Sequence, residues 1–184
     1  MQKNHLPLLG VGPLYVISII LITAAGGLFT CLGIIAGGKI PLIVPCVIAG
    51  ICFIGIGIAL WIAAVFFSKI DANIIANKLV TDGVYRIVRN PIYSAFLFVC
   101  TGVLLLFCNW YLLLLPPIFF LYLTLLMKYT EEKWLLQQYG EEYQDYCKRV
   151  NRCIPSVRGL LHGGNKGFGN KNAGNTGNPM EEHK

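Results

Sequence analysis

The sequence predicts an all-α, polytopic membrane bundle of about four transmembrane helices plus amphipathic helices outside the bilayer. Three observations predict it. Apolar residues make up 55% of the 184 positions and charged residues only 13%, against about 25% charged in ordinary soluble domains. The charges are also segregated: between Leu6 and Phe67 only Lys39 is charged, and between Pro91 and Met127 no residue is. Both stretches exceed the roughly 18 apolar residues that mark a bilayer-spanning helix. A chain of this size and composition has no room for a second, soluble domain.

The first span is expected from about Leu14 to Ile35, stopping at Gly37-Gly38, and the second from near Pro41 to near Phe67. The third follows Pro91 to about Phe107 and the fourth runs from about Tyr111 to Met127. Only Cys108, Asn109 and Trp110 separate the last two, which predicts a tight antiparallel hairpin. Both are short against the usual ~20 residues, so their ends reach the headgroup region, where Trp110 and Tyr111 suit the interface. Pro116-Pro117 inside the fourth span predicts a kink, because each proline removes a backbone donor. Lys3 followed by an apolar run and Ala24-Ala25-Gly26 has the outline of a signal peptide. The run continues to Ile35, which favours a retained anchor.

Basic residues set the orientation. The 68–91 connection holds Lys69, Lys78, Arg86 and Arg89, and the segment after the last span holds Lys128, Lys133, Lys148, Arg149, Arg152 and Arg158. The intervening short turns hold only Lys39. By the positive-inside rule both basic segments and both termini face the cytoplasm. The net charge of +6 is then a topology signal plus affinity for the anionic lipid bilayer. No nucleic-acid motif accompanies it, so no nucleic-acid partner is expected. The bacterial plasma membrane is favoured over the endoplasmic reticulum.

The seven cysteines contain no CxxC pair, and most lie in or beside spans, where cysteine acts as a small apolar residue. His5, His162 and His183 all sit near the termini. No metal site is expected. The organisation is therefore two N-terminal spans in 1–67, a loop, hairpin and amphipathic helices in 68–157, and a Gly/Asn-rich tail in 158–184 expected to be disordered.

Chemistry has two places to sit. In the Ser68–Asn90 loop, ANIIANKLV suits a short interfacial helix and Thr81-Asp82-Gly83 reads as a turn, with Gly83 free to take positive φ. Asn90-Pro91 then opens the third span as N-cap and first helical residue. Arg86 and Arg89 have two readings: they snorkel to lipid phosphates, or they join the helix N-terminus to hold a carboxylate or phosphate. In the second place, KYTEEKWLLQQYGEEYQDYCKRVNRCIP, Leu135, Tyr139, Tyr143, Tyr146 and Val150 recur at spacings of three and four. This predicts an amphipathic helix broken at Gly140, and such a helix can lie on the membrane surface. Glu131-Glu132 emerge one turn after an apolar span, where they are either solvated outside the headgroups or matched to a cation.

Taken together, LVTDGVYRIVRNPIYSA and EEKWLLQQYGEEYQDYCKRVNRCIP resemble the integral-membrane methyltransferases that include isoprenylcysteine carboxyl methyltransferase and the phospholipid methyltransferases. Order and spacing match over Leu79 to Pro155, whereas the first two spans match only in being hydrophobic. The resemblance implies S-adenosyl-L-methionine as cofactor, held without a Rossmann unit, and the chain has no GxGxxG unit of that kind. It carries the cofactor site onto Tyr85, Arg89, Asn90, Pro91, Tyr93, Glu131 and Glu132, and the catalytic role onto Arg152 and Glu131. Arg89 suits the cofactor's carboxylate and the glutamates its cationic groups.

Two departures stand out. Asn90 replaces the family's histidine and cannot change charge near neutral pH, and Ala95 replaces a glycine. With no histidine to take a proton, an isoprenylcysteine-carboxylate-like or thiol acceptor is favoured over a phospholipid amine, and Arg152 would steady an anionic acceptor. The partner is then a lipophilic small molecule or prenylated acceptor presented by the membrane. Two other readings compete: a sterol-reductase-like enzyme using NADPH, and a non-catalytic membrane scaffold. The acids at 131 and 132 disfavour placing nicotinamide phosphates beside them.

Overall fold

A computed structural model describes residues 11–66 and 79–155. The expectations for the N-terminal segment, for residues 72–78 of the interfacial helix expected over 72–80, for Lys69 and Lys78, and for the 158–184 tail lie outside the described residues, and Leu79 and Val80 are not helical. Among the described residues five α-helices follow in order: α1 (Gly12–Cys31), α2 (Ile43–Phe66), α3 (Pro91–Leu106), α4 (Leu115–Tyr129) and α5 (Glu131–Arg149). Short 3-10 turns at Gly83–Arg86 and Leu112–Leu114 precede α3 and α4. Among the described residues there is no strand, only an isolated bridge between Lys39 and Asn109.

Among the described residues three helical segments are long and apolar enough to cross a membrane: Gly12–Cys31, Ile43–Phe66 and Leu112–Tyr129. The chain is an all-α membrane bundle. α3 is equally apolar but has 16 residues, about 24 Å at 1.5 Å per residue against a core of about 30 Å. The four run alternately. The start of α1 meets the start of α3 through Gly12 and Tyr93, and the later turns of α1 meet its end through Gly27 and Phe107. The outward face is lipid-like rather than polar: Ile48, Ile51, Ile58 and Phe66 of α2 are all exposed.

α2 and α3 pack closest, and the reason is an absence of side chains. A Cβ on Gly102 would stand 2.6 Å from the Gly50 carbonyl oxygen, and one on Gly57 would stand 2.7 Å from that of Ala95. Small residues let backbones approach where lipid removes any hydrophobic drive between helices.

At the end of the bundle remote from the charged segments, Asn109 fastens the α1–α2 connection to the hairpin. Its Nδ2 donates to the Gly37 carbonyl at 2.9 Å and its Oδ1 accepts from the Tyr111 N–H at 2.9 Å. Backbone bonds from Ile40 to Cys108 and from Trp110 to Gly38 complete the joint.

Two local expectations are corrected. Pro116 and Pro117 do not kink a span midway: they fall in the first turn of α4, just after the 3-10 turn. The amide hydrogens they lack would have had no intrahelical partner there. Asn90 accepts the first helical bond of α3 through its backbone carbonyl, from the Ser94 N–H at 3.0 Å, but its side chain makes no cap. The break at Gly140 stands, with φ 53° and ψ −123° inside α5, and Gly83 takes the expected positive φ of 62°.

Candidate functional site

The segment before α3 and the segments flanking α5 meet at one end of the bundle. Backbone bonds bring them together: the Arg89 N–H donates to Asn151 at 2.9 Å and the Asn90 N–H to Arg152 at 3.1 Å. Asn90 Nδ2 adds a third bond to the Arg152 carbonyl at 3.3 Å. The side chain expected to cap α3 is therefore used to fasten the chain that leaves α5.

That chain is held in place by the apolar stripe of α5. Tyr143, Tyr146 and Val150 form a buried cluster with Leu79, Leu135, Tyr139 and Cys147. The Tyr146 hydroxyl donates to the Tyr85 carbonyl at 2.7 Å. The stripe thus packs on the segment before α3 and is not left to face lipid alone.

Within this frame the two glutamates have different surroundings. Glu132 receives both arginines. Arg152 donates through Nε and Nη2 to its two oxygens, each at 2.6 Å, and Arg89 Nη1 stands 3.1 Å from Oε1. All three side chains are largely buried, with exposures of 10% for Arg89, 15% for Glu132 and 23% for Arg152. The same Arg89 nitrogen donates to the Cys147 thiol and reaches the Tyr143 hydroxyl at 3.5 Å. Its Nε is buried without a partner. Two guanidiniums around one carboxylate leave a positive excess, and the hydrogen bond from Arg152 to Glu132 raises the guanidinium's proton affinity further.

Glu131 has no cationic partner among the described residues. It accepts a hydrogen bond from the Tyr93 hydroxyl at 3.0 Å. Burial pushes its carboxyl above the usual range, and the Tyr93 bond only partly opposes that. Tyr85 lies within electrostatic reach, its phenol pushed up to about 12 by burial and then by Glu131. Burial also raises the Tyr143 and Tyr146 phenols and the Cys147 thiol, so the cluster around Arg89 is neutral apart from the ion triad.

Every residue that the resemblance carried to the site lies in this region. Arg89, Asn90, Tyr93, Glu131, Glu132 and Arg152 are linked by the bonds above, Pro91 is buried at the start of α3, and Tyr85 is held through its carbonyl. Sequence reasoning missed Gly12 and Tyr15 of α1 and the polar use of Tyr143, Tyr146 and Cys147. The stripe in α5 was visible, but an amphipathic pattern says only which face is covered, not that its hydroxyls and thiol meet an arginine. An apolar groove of about 300 Å³ between α2 and α3 is lined by Ile58, Trp61, Ala95, Phe96 and Val99. It offers no ionisable group. Among the described residues no cluster of metal-ligating side chains occurs.

Comparison with known proteins supplies the family. The chain is 33% identical over 87 residues to a probable protein-S-isoprenylcysteine O-methyltransferase of Oryza sativa subsp. japonica, covering 44% of this chain and 42% of that protein. It is 35% identical over 87 residues to protein-S-isoprenylcysteine O-methyltransferase B of Arabidopsis thaliana, covering 44% and 41%. With protein-S-isoprenylcysteine O-methyltransferase of Schizosaccharomyces pombe it shares 33% over 98 residues, covering 47% and 39%. The chain spans about two fifths of the length of these curated relatives. No solved structure matches it. Residues 34–142, more than half of the chain, match the family described as phospholipid methyltransferase, a stretch that holds both glutamates and Arg89 but neither α1 nor Arg152. The chain belongs to the phospholipid methyltransferase family.

Proposed function

We propose that this protein is an integral-membrane methyltransferase that uses S-adenosyl-L-methionine and acts on a lipid-soluble or membrane-presented acceptor. One observation carries the reading. Arg89 before α3 meets Glu132 at 3.1 Å, and Tyr93 in the first turn of α3 meets Glu131 at 3.0 Å, so the two ends of an apolar hairpin join at one end of the bundle. Lipid-side scaffolds have no need to gather two arginines and two acids there. Charges this poorly solvated are expensive unless matched.

The donor set fits the cofactor. When bound, S-adenosyl-L-methionine supplies a methyl group on a positively charged sulfur. Arg89, with its buried unpartnered Nε, suits an anionic group. Glu131, free of any guanidinium among the described residues, suits a cationic one. Glu132 takes a narrower role than the sequence assigned it: it holds Arg89 and Arg152 in one orientation. Arg152 keeps a place near the acceptor through the excess positive charge that the triad leaves.

For the acceptor, a carboxylate like that of isoprenylcysteine, or a thiol, is favoured over a phospholipid amine. Asn90 cannot serve as a base, and the excess positive charge around Glu132 favours an anionic acceptor. The names of the relatives in rice, Arabidopsis and fission yeast point the same way. The polar end faces the cytoplasm on this reading, as the distribution of basic residues suggests.

Calorimetric titration of detergent-purified protein with S-adenosylhomocysteine tests the cofactor, with Glu131→Gln and Arg89→Ala expected to abolish measurable binding. Unchanged binding in both variants would sink the assignment. A labelled-methyl transfer screen over prenylcysteine, thiol and ethanolamine-lipid acceptors tests the rest. Methylation of ethanolamine lipid as fast as of any acid or thiol would overturn the acceptor preference.

A further inference from the structure

We propose that the first turn of α1, through Gly12 and Tyr15, is a positioning element that sets Tyr93 against Glu131. The inference rests on the reading of Glu131 as a cofactor-binding group and extends the site to a helix outside the family-matched residues 34–142. Tyr93 is the one residue of α3 whose side chain bonds Glu131 among the described residues, and α1 fixes where its ring lies. A Cβ on Gly12 would stand 1.9 Å from the Tyr93 hydroxyl oxygen, 2.4 Å from Cζ and 2.5 Å from Cε1. The ring therefore lies in space that only glycine leaves open. One turn on, Tyr15, fully buried, meets the Tyr93 ring edge-on with centroids 6.3 Å apart and planes at 80°. Tyr15 is itself anchored by its hydroxyl to the Phe119 carbonyl of α4 at 3.4 Å and by its ring to Tyr122 at 5.4 Å.

The consequence is a chain of contacts from α1 and α4 to one carboxylate. Restoring a normal contact distance in Gly12→Ala requires the Tyr93 ring to move by on the order of 1 Å. The hydroxyl bond to Glu131 is 3.0 Å, and a displacement of that size takes it past hydrogen-bonding range. The titratable groups within reach of Glu131 are Tyr93 on α3 and Tyr85 on the 3-10 turn, with Glu132 next in sequence. Loss of the Tyr93 bond removes a hydrogen bond that favours the carboxylate form.

The test is a double-mutant cycle read on Glu131 itself. Infrared difference titration of the full-length protein in detergent, with Glu131→Gln subtracted, follows that carboxyl directly. Gly12→Ala and Tyr93→Phe are each expected to move its midpoint upward. The double variant is expected to move it no further than Tyr93→Phe alone, because both act through one hydroxyl. Gly55→Ala, where a Cβ meets nothing within 4 Å, is expected to leave the midpoint in place. Should Gly12→Ala fail to fold, Tyr15→Leu removes the edge-on ring contact with Tyr93 and is expected to give the same upward shift, absent in the Tyr93→Phe background. A wild-type midpoint in Gly12→Ala or in Tyr15→Leu, or additive shifts in the cycle, would overturn the proposal. S-adenosylhomocysteine affinity separates this from the cofactor reading: it is expected to weaken about tenfold in Gly12→Ala, the loss of roughly one charged contact. No binding to wild type, with the midpoints moving as stated, would end the cofactor reading and leave the positioning role standing.

Discussion

Arg152 grips both oxygens of Glu132, with Nε and Nη2 each 2.6 Å from its partner. This fork joins the chain after α5 to the first turn of α5, across a helix that is itself broken at Gly140. Arg89 then ties the same carboxylate to the segment before α3. One acid therefore holds three stretches of chain. Glu132→Gln leaves two poorly solvated guanidiniums unpaired and is expected to destabilise the protein by about 3 kcal/mol. Arg152→Lys keeps the charge but loses the fork, and should lose markedly less. Denaturant unfolding in detergent, compared between the two variants, checks the order. Equal losses would mean that the fork geometry adds nothing to the charge.

Glu131 makes the opposite contribution. Its carboxyl is raised by burial, so the folded protein binds its proton more tightly than the unfolded chain does. Stability from this group is fully present below the ordinary carboxylate range and is lost as pH rises through the raised folded value. Glu131→Gln removes that loss. The variant is expected to be more stable than wild type at neutral pH without ligand, with the advantage disappearing as pH falls below the ordinary carboxylate range. Unfolding midpoints measured for both proteins across the acidic range check it. A stability difference independent of pH would contradict the assignment.

The spans, their order and the grouping of the site were legible because charge is so sparse in this chain. Arg89, Glu131 and Glu132 flank a stretch, Pro91 to Met127, with no charged residue, and the spacing around Asn90-Pro91 marks the start of α3. What the sequence did not disclose is which acid meets which arginine. Adjacent glutamates are equivalent on paper, and only the path of the chain after α5 gives Glu132 both guanidiniums and leaves Glu131 to Tyr93. Gly12 was equally silent. A glycine at the start of an apolar helix has many uses, and its contact with Tyr93 spans 81 positions of sequence. The prolines misled for a local reason: a proline kinks a helix only after the first turn, and the 3-10 turn at Leu112–Leu114 moves the start of α4 to just before Pro116.

The α2–α3 crossing depends on bare backbone. Gly102 lies where a Cβ would meet the Gly50 carbonyl at 2.6 Å and the Ile54 backbone nitrogen at 2.9 Å. Backbone atoms cannot swing aside as a side chain can, so Gly102→Ala must push the helices apart. The expected loss is about 1–3 kcal/mol, the range for overpacking a close contact. Gly55→Ala on the open face of α2 is the matched control and should lie within about 0.5 kcal/mol of wild type. Thermal unfolding of the pair in the same detergent gives the comparison. Similar midpoints for both variants would show that the helices do not approach as closely as these distances require.

Asn109 is the polar joint at the opposite end of the bundle, only 2% exposed. Its amide supplies one donor to Gly37 and one acceptor to Tyr111. Asn109→Ala leaves both backbone groups short of a partner, which costs about 1–3 kcal/mol for each group that water does not reach. Asn109→Asp keeps the acceptor but sacrifices the donor, and it sets a carboxylate beside the Gly37 carbonyl. It is expected to be at least as damaging as alanine. Both variants should bind S-adenosylhomocysteine with wild-type affinity wherever they remain folded, because Glu131 and Arg89 lie at the other end of the helices. Proteolysis in the 32–42 connection should accelerate in each variant before global unfolding does. Cleavage rates equal to wild type, in a protein whose midpoint has fallen, would place the damage elsewhere than at this joint.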